Sequence, residues 1–343
     1  MAPYFILQSY LTYLFFIGSR ISQQRLFRFF SVTFVIILFI GFRYEVGGDW
    51  DSYIWYFEGI SGNTKSFSGM KDFGYALTNY IVYRVGGSIS HVNVACAIIV
   101  MLANAKIFTT QRSFWLATIV ALPYYIIVIT MGYTRQSVAI SLVWLSYIFV
   151  LERHYFRGLL VIIIATMFHS TAILAIPVVI LGSQLSRILK IALALIIMLI
   201  AYYFLATRFE YLVTEYLIGG LNSPGATFRL IIISASVLII YFNYKNLPSL
   251  YTSNKLLIFI SITSQVLWVV FYFSSTVADR LALYFFPLEI IALSNLPFMF
   301  KDSIIRGAIA ILVVTASYIL LLIWLLYANN SIYWLPYKFG IYQ

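Results

Sequence analysis

Long apolar segments recur along this chain, and they restrict its fold more than any other feature. Runs of about 18 apolar residues or more match the length at which an α-helix crosses the hydrocarbon core of a bilayer. Since 62% of the residues are hydrophobic and only 10% are charged, a water-soluble fold would expose large apolar areas to water. The sequence therefore predicts an all-α polytopic membrane protein that forms a single domain over residues 1–343.

The apolar runs predict about 10–12 transmembrane helices. The predicted spans are 3–18, 29–42, 90–107, 113–131, 136–151, 158–181, 188–206, 229–244, 256–275, 282–300 and 305–327. The longer polar connections, 43–89 and 207–228, are predicted to be loops on the outer face. Within the first of them, DFGYALTNYIVYRVGG at 72–87 is typical of a short amphipathic helix at the membrane interface.

Basic residues predict the orientation, because loops rich in Lys and Arg remain on the cytoplasmic side. The loop 19–28 contains three arginines and no acidic residue, so we expect it to be cytoplasmic and 43–89 to lie outside. A break at FHST, 168–171, would turn 158–181 into a re-entrant hairpin and keep later basic residues inside. A single crossing is the alternative, and we favour the hairpin. Such a break must be buried in protein or line a watery cavity.

Several classes of function are disfavoured by composition. The net charge of +11 is explained by basic cytoplasmic loops and does not predict nucleic-acid binding. The single Cys96 excludes an internal disulfide. The three histidines lack the spacing of a metal site, so neither a metal nor another cofactor is expected.

Arginines at the ends of apolar spans are candidates for function, because charge near hydrocarbon is costly. Arg135 in MGYTRQSVAISL and Arg280 in SSTVADRLALYFF have this position. An anchor that extends its charge to the interface is the alternative, and it is the preferred interpretation for Arg208 and Arg229. Several arginines that face one cavity would suit a pyrophosphate, since guanidinium groups match phosphate oxygens in a bidentate way.

A histidine and one mixed segment supply further candidates. His169 lies at the predicted break, where it either packs in the core, donates to a phosphate or relays a proton. In GFRYEVGGDWDSYIWYF at 41–57, Arg43 would hold an anion and Asp49 or Asp51 would bind or deprotonate a sugar hydroxyl. The aromatic rings offer flat faces to sugars; they are Trp50, Tyr53, Trp55 and Tyr56. A solvated loop with an aromatic belt is the alternative.

Five short motifs occur in order along most of the chain. They are FRYEVGGDWDSY at 42–53, DFGY at 72–75, TRQSVAISL at 134–142, MFHSTAILAIP at 167–177 and DRLALYF at 279–285. The first resembles the R-Y-x-x-G-x-D-[YW]-x-x-Y signature of the EpsG-like, Wzy-type polysaccharide polymerases, and the others are similar to later elements of that family. Asp51 lies outside the signature and ranks below Asp49.

The resemblance implies polymerisation of undecaprenyl-pyrophosphate-linked oligosaccharides at the outer face of the bacterial cytoplasmic membrane. The residues assigned to catalysis are Asp49, His169, Arg135 and Arg280. The residues assigned to substrate binding are Arg43, Tyr44, Gly47, Asp51, Tyr53, Tyr75 and Gln136. The partners implied are the lipid-linked donor and acceptor, membrane lipids and a chain-length regulator protein, with no nucleic acid.

Three other functions remain open from the sequence. A different polyprenyl-phosphate-dependent glycosyltransferase would add one sugar rather than a preassembled unit. A sugar or lipid transporter is expected to have broken helices in corresponding positions of two halves, and the break at His169 has no predicted partner. An O-acyltransferase of surface polysaccharide is the third, although the arginine-rich outer cluster favours pyrophosphate over acyl-CoA chemistry.

Overall fold

The computed structural model describes residues 1–18, 25–61, 72–183, 186, 188–192, 195, 196, 199, 223–253 and 255–341. In chain order the helices are α1 (Ala2–Gly18), α2 (Arg25–Gly41), α3 (Trp50–Ser61), α4 (Phe73–Arg84), α5 (Ile89–Thr109), α6 (Phe114–Ala121), α7 (Thr134–Leu151), α8 (Tyr155–Phe168), α9 (Ile176–Gly182), α10 (Ala226–Asn243), α11 (Ser249–Thr252), α12 (Leu256–Gln265), α13 (Leu267–Phe273), α14 (Ser275–Ala282), α15 (Pro287–Asn295) and α16 (Ser303–Tyr327). A π-helix, Leu122–Thr130, continues α6, and 3₁₀ turns occupy Ser170–Ala175, Tyr244–Asn246, Leu283–Phe285, Leu296–Met299 and Asn329–Trp334.

The predicted all-α polytopic membrane fold is confirmed. Helices long and apolar enough to cross a membrane are Ile89–Thr109, Thr134–Leu151, Ala226–Asn246, Leu256–Phe273 and Ser303–Tyr327. Shorter apolar helices are Ala2–Ile17, Phe29–Gly41, Phe114–Thr130, Tyr155–Phe168 and Ser170–Ile180. The predicted span 188–206 and the loop 207–228 lie largely outside the described residues.

The predicted break at His169 is present, and the chain returns after it. His169 adopts an extended conformation (φ −155°, ψ 119°) that ends α8. Gly158 near the start of α8 and Gly182 at the end of α9 both pack against Val150, because a Cβ at either position would approach Val150 side-chain atoms within 3.0 and 3.2 Å. Both arms of the hairpin therefore reach the same end of α7, and His169 lies at the turn between them.

A second break, which the sequence analysis did not predict, separates α14 from α15. The segments Ser275–Phe285 and Pro287–Met299 are bent by 49° relative to each other. Pro287 occupies the first turn of α15, where a proline lacks a backbone donor and cannot continue the preceding helix. Before the break, Arg280 lies beside α7, and its carbonyl oxygen accepts a hydrogen bond from Gln136.

The two ends of the bundle differ in charge. We call the end that holds residues 42–49 and His169 the loop end, and the end that holds Leu151 and Glu152 the basic end. Connections at the basic end include the cations Lys106, Arg112, Arg153, Arg157, Lys245, Lys255, Lys301 and Arg306. In that same part of the described chain, the acids are Glu152, which pairs with Lys106 at 2.6 Å, and Asp302.

The connection 43–89 contains two short helices. The predicted amphipathic helix is α4, and α3 precedes it. Trp50 and Tyr53 are 6% and 3% exposed, so they form the buried face of α3, whereas Trp55 is 65% exposed on its outer face. The spacing of three between the two buried rings is that of one helix face.

The C-terminal segment 328–341 packs back on the loop end. Arg43 and Phe339 form an isolated antiparallel bridge, and the Tyr44 amide donates to the Lys338 carbonyl oxygen at 3.0 Å. Glu45, which has φ 52°, forms an ion pair with Lys338. The segment FRYE therefore holds the C-terminal chain against the bundle.

Candidate functional site

A cavity of about 770 Å³ lies at the loop end of the bundle. Its volume falls within the range of about 300–1,000 Å³ that ligand sites occupy. The sequence-predicted residues that line it are Asp49, Tyr53, Arg135, Gln136, His169 and Arg280. The structure thus brings together all four residues that the sequence analysis assigned to catalysis.

The five sequence motifs contact one another around this cavity. The side-chain contacts that link them are Arg43 to Thr134 at 2.8 Å, Arg135 to Asp72 at 2.9 Å, Gln136 to the Arg280 carbonyl at 3.0 Å, and Thr171 to Tyr284 at 2.9 Å. Because the motifs are far apart in the chain, these contacts define one composite site rather than five local features.

Arg135 begins α7 and is held by an acid and three aromatic rings. Its Nη1 donates to Asp72 Oδ2 at 2.9 Å, and its side chain remains 30% exposed. The ring centroids of Tyr53, Tyr56 and Tyr75 lie 5.6, 5.9 and 5.8 Å from Cζ, within the range of cation–π attraction. Burial raises the pKa of Tyr53 to about 12, so its hydroxyl stays neutral. Tyr75, predicted to bind substrate, supports Arg135 instead of lining the cavity.

Asp72 and His169 lie next to Arg135. The carboxylate of Asp72 is 7% exposed, and its Oδ2 lies 3.9 Å from His169 Nδ1. That ring nitrogen is buried and has no hydrogen-bond partner within the described ranges. Gly74 brings the two segments together, because a Cβ there would lie 3.0 Å from the Phe168 ring. The DFGY and FHSTA motifs therefore meet through glycine and phenylalanine.

Asp49 ends the loop before α3 and faces the cavity. Burial raises the pKa of its carboxyl group above the usual range, although Arg135, Arg280 and the Tyr53 hydroxyl each act to lower it. A carboxylate with a raised pKa is a stronger base than an exposed one. This position suits a group that accepts a proton from a bound hydroxyl.

Arg280 lies on α14 and presents its side chain to the cavity. Gln136 donates to its carbonyl oxygen at 3.0 Å, which positions the backbone. No side-chain hydrogen bond or ion pair of the Arg280 guanidinium is formed with another residue that the structure describes. Its donors are therefore available to a ligand on this wall.

A second arginine network lines another wall of the cavity. Arg229 forms an ion pair with Asp279, hydrogen-bonds the Tyr124 hydroxyl and is mostly buried. The Ser223 hydroxyl donates to Asp279 Oδ2 at 2.8 Å. Arg229, for which the sequence favours a membrane anchor, lies at the cavity in the structure. Arg208 lies outside the described residues.

Arg43 does not reach the cavity. Its side chain is fully buried, and its guanidinium donates to the carbonyl oxygens of Ile40 at 2.7 Å and Val46 at 3.1 Å. It also donates to Asn93 Oδ1 at 3.1 Å and Thr134 Oγ1 at 2.8 Å. Four protein acceptors occupy its donors, so Arg43 joins the loop to the bundle rather than facing an anion.

The other predicted residues of this loop also lie away from the cavity wall. Gly47 has φ +113°, and a Cβ there would lie 2.3 Å from the Met131 carbonyl oxygen. Only glycine permits that approach. Tyr44 packs edge-on against Trp50 at 6.0 Å, and Asp51 is exposed in the first turn of α3, where a negative charge favours the helix dipole.

Uncharged residues that were not predicted also line the cavity, and we call them the uncharged wall. Its residues from α16 and the following turn are Trp324, Tyr327, Asn329, Asn330 and Trp334. Trp334 is fixed by its Nε1, which donates to the Ile127 carbonyl oxygen at 3.0 Å. The signal in the sequence was the polar run ANNSIYW directly after a long apolar span.

The fold and this cavity define a multi-pass helical membrane protein with an arginine-rich site at one end of its bundle. The chain matches the model of the EpsG family over residues 26–339. It therefore belongs to the EpsG family, as the five motifs indicated. No curated protein and no solved structure matches it.

Proposed function

We propose that this protein polymerises undecaprenyl-pyrophosphate-linked oligosaccharide repeat units. It transfers the growing glycan from its lipid pyrophosphate to a sugar hydroxyl of a new repeat unit. The observation that supports the proposal best is that one cavity gathers Arg135, Arg280, Asp49 and His169 from separate motifs. Membership of the EpsG family supports polysaccharide synthesis as the setting.

The charged residues that line the cavity fit the chemistry of this transfer. The bond between the anomeric carbon and the pyrophosphate oxygen breaks, and that oxygen keeps the electron pair. Arg135 and Arg280 stabilise the charge that develops there, which lowers the barrier electrostatically. The acceptor hydroxyl oxygen bonds the anomeric carbon and gives its proton to Asp49, while His169 supports the site as a hydrogen-bond donor.

The uncharged wall fits the saccharide. Rings such as Trp324 and Tyr327 present apolar faces to pyranose rings, and the amides of Asn329 and Asn330 both donate and accept hydrogen bonds. A substrate with a charged pyrophosphate and a neutral glycan therefore matches the polarity of the two walls. The lipid-linked donor and acceptor, membrane lipids and a chain-length regulator protein are the proposed partners.

The charge of the bundle ends supports an orientation. Cations concentrated in the connections at the basic end are typical of cytoplasmic loops. The cavity, at the other end, then faces the periplasm or the cell exterior from the bacterial cytoplasmic membrane. Lipid-linked repeat units that have been moved across the membrane would meet the site on this side.

Complementation of a strain that lacks the gene tests this function. Wild type is expected to restore a polysaccharide ladder on a gel, while Arg135→Ala, Arg280→Ala and Asp49→Asn leave single repeat units, at equal expression. Glu45→Gln is the matched control, since Glu45 also precedes α3 and forms an ion pair but lies outside the cavity. Unchanged polymer in the deletion strain would contradict the proposal.

A transporter is the second candidate, and the break at Pro287 favours it. That break supplies a discontinuity in the later half of the chain, which the sequence analysis had not expected. The two breaks differ in form. The helices α8 and α9 make a hairpin whose two arms reach the same end of α7, whereas α15 continues beyond α14 after a bend of 49°. Loss of the repeat unit from the outer face in the deletion strain would favour transport. Single repeat units that reach the outer face would favour polymerisation.

A further inference from the structure

We propose that Asp72 is a positioning residue that exchanges partners when an anion binds, releasing Arg135 and accepting a hydrogen bond from His169. The exchange sets the tautomer of His169, so that Nδ1 carries the proton and Nε2 is left as an acceptor. This inference rests on the proposed function for its purpose, because the anion it requires is a pyrophosphate.

One oxygen of Asp72 is shared by two possible donors. Asp72 Oδ2 lies 2.9 Å from Arg135 Nη1 and 3.9 Å from His169 Nδ1. The first distance is a hydrogen bond and the second is not, so the carboxylate is committed to the arginine. A change of about 1 Å in side-chain position is enough to form the second bond.

The Asp72 side chain is not used to cap the helix that follows it. Asp72 precedes α4 with φ 63° and ψ 60°, in the left-handed region, and its side chain makes no capping hydrogen bond to the helix. Aspartate tolerates this region better than most residues do. The contact between Gly74 and Phe168 fixes α4 against the turn that holds His169. The distance from Asp72 to His169 is therefore set by backbone packing.

Burial makes the exchange necessary. The Asp72 carboxylate is 7% exposed, and a buried charge without a partner is costly. Arg135 is the group that a pyrophosphate would draw away, because its side chain is still 30% exposed at the cavity. His169 Nδ1, which is buried and lacks a hydrogen-bond partner in the described chain, is the donor placed to replace it.

The consequence for the reaction is that His169 offers a hydrogen-bond acceptor to the substrate only when the site is occupied. With Nδ1–H bonded to Asp72, the second nitrogen of His169 can accept a hydrogen bond from a sugar hydroxyl. This bond orients the acceptor sugar, so that a neighbouring hydroxyl of the same sugar attacks the anomeric carbon and gives its proton to Asp49. An empty site lacks this arrangement, since Arg135 holds the carboxylate.

Nitrogen NMR of the histidine side chains tests the exchange directly. The chain contains three histidines, so selective ¹⁵N-histidine labelling in lipid nanodiscs, with His169→Gln for assignment, resolves the site. Inorganic pyrophosphate is the probe. The Nδ1 signal of His169 is expected to move to that of a hydrogen-bonded N–H on addition of the probe, and to stay unchanged in Asp72→Asn. No movement in wild type, or the same movement in Asp72→Asn, would overturn the inference.

Asp72→Asn is a suitable variant because asparagine also tolerates a positive φ, so the backbone is retained. Its turnover is expected to fall about 100-fold, in kcat more than in KM, which is the size of a lost acid–base contribution. Glu45→Gln, at another acidic residue with positive φ and an ion pair, should leave turnover unchanged. Equal loss in both variants would show a purely structural effect.

The two proposals fail separately. A pyrophosphate-dependent change at His169 in a protein that makes no polymer would overturn the polymerase function and leave the exchange standing. Normal polymerisation by Asp72→Asn, with no NMR change in wild type, would overturn the exchange and leave the function standing.

Discussion

The side-chain amide of Gln136 donates a hydrogen bond of 3.0 Å to the carbonyl oxygen of Arg280. This contact joins the first turn of α7 to α14 and holds Arg280 on the same cavity as Arg135. Gln136 was predicted to bind substrate, and although it lines the cavity, its amide nitrogen is engaged by the protein. Gln136 can therefore affect a ligand through the position of Arg280.

Replacement of Gln136 by glutamate should lower the rate of polymerisation about 10-fold. A carboxylate cannot donate to the Arg280 carbonyl oxygen, so Arg280 would shift, and a small displacement of a catalytic group is costly. The melting temperature should fall only slightly, since one hydrogen bond contributes about 1 kcal/mol. Gln111→Glu is the control, as Gln111 is also a buried amide but lies at the basic end. Activity per folded molecule should be unchanged in the control; an equal loss there would contradict the assignment.

Arg43 and Arg280 should separate stability from activity. Arg43→Lys removes the guanidinium fork that bonds four acceptors, and we expect it to cost about 2–4 kcal/mol of unfolding free energy. Arg280→Lys should keep the melting temperature of wild type and lose most of the activity, because a lysine cannot bind phosphate in a bidentate way. Differential scanning fluorimetry in detergent, with the polymerisation assay, checks both. The opposite pattern would place Arg43 in the site.

The sequence predicted the classes of element better than the direction of individual side chains. Apolar run length is a local property, so nearly every described span was placed, and the polar run FHST marked the hairpin turn. Arg43 and Arg135 look alike in sequence, since each is an arginine at the end of an apolar run. Three of the four acceptors of Arg43 come from α2, α5 and α7, and no local pattern reveals that they surround it.

The same limit explains the residues that were missed. Arg229 was interpreted as an anchor because its neighbours are apolar, and its partner Asp279 lies 50 residues away. Asn329 and Asn330 follow the last long span, where polar residues are usual and do not indicate a site. The bend before Pro287 brings Asp279 and Arg280 to the cavity, and a proline within an apolar run was the signal that could have been used.

Gly47→Ala should destabilise the protein strongly. The added Cβ would lie 2.3 Å from the Met131 carbonyl oxygen, and alanine rarely adopts φ +113°. We expect a loss of more than about 2 kcal/mol in unfolding free energy or a failure to accumulate in the membrane. Gly307→Ala, where nothing lies within 4 Å, is the control and should be neutral or slightly stabilising. Equal stability of both variants would contradict the packing of the loop on Met131.

The pH dependence of polymerisation should report Asp49. A proton acceptor must be ionised, so the rate falls as the pH drops through its pKa. Because burial raises the pKa of Asp49, this acid limb should lie above the value of about 3.9 of an exposed aspartate.

Tyr53→Phe should move that limb to higher pH, because the Tyr53 hydroxyl lowers the pKa of Asp49 and its loss removes this effect. Tyr56→Phe is the control, since the Tyr56 ring also lies beside Arg135 but Tyr56 is not among the groups that act on Asp49. Initial rates between about pH 4 and pH 8 provide the comparison. A limb that moved equally in both variants would exclude Asp49 as its source.

Reconstitution of the purified protein is the most direct measurement of polymerisation. The protein is placed in proteoliposomes with one undecaprenyl-pyrophosphate-linked repeat unit, and polymer length and released undecaprenyl pyrophosphate are followed together. Wild type should form a ladder and release one lipid pyrophosphate for each linkage, and Arg280→Ala, once shown to be folded by its melting temperature, should do neither. A folded wild-type protein that forms no ladder, or an Arg280→Ala ladder equal to that of wild type, would contradict the proposal.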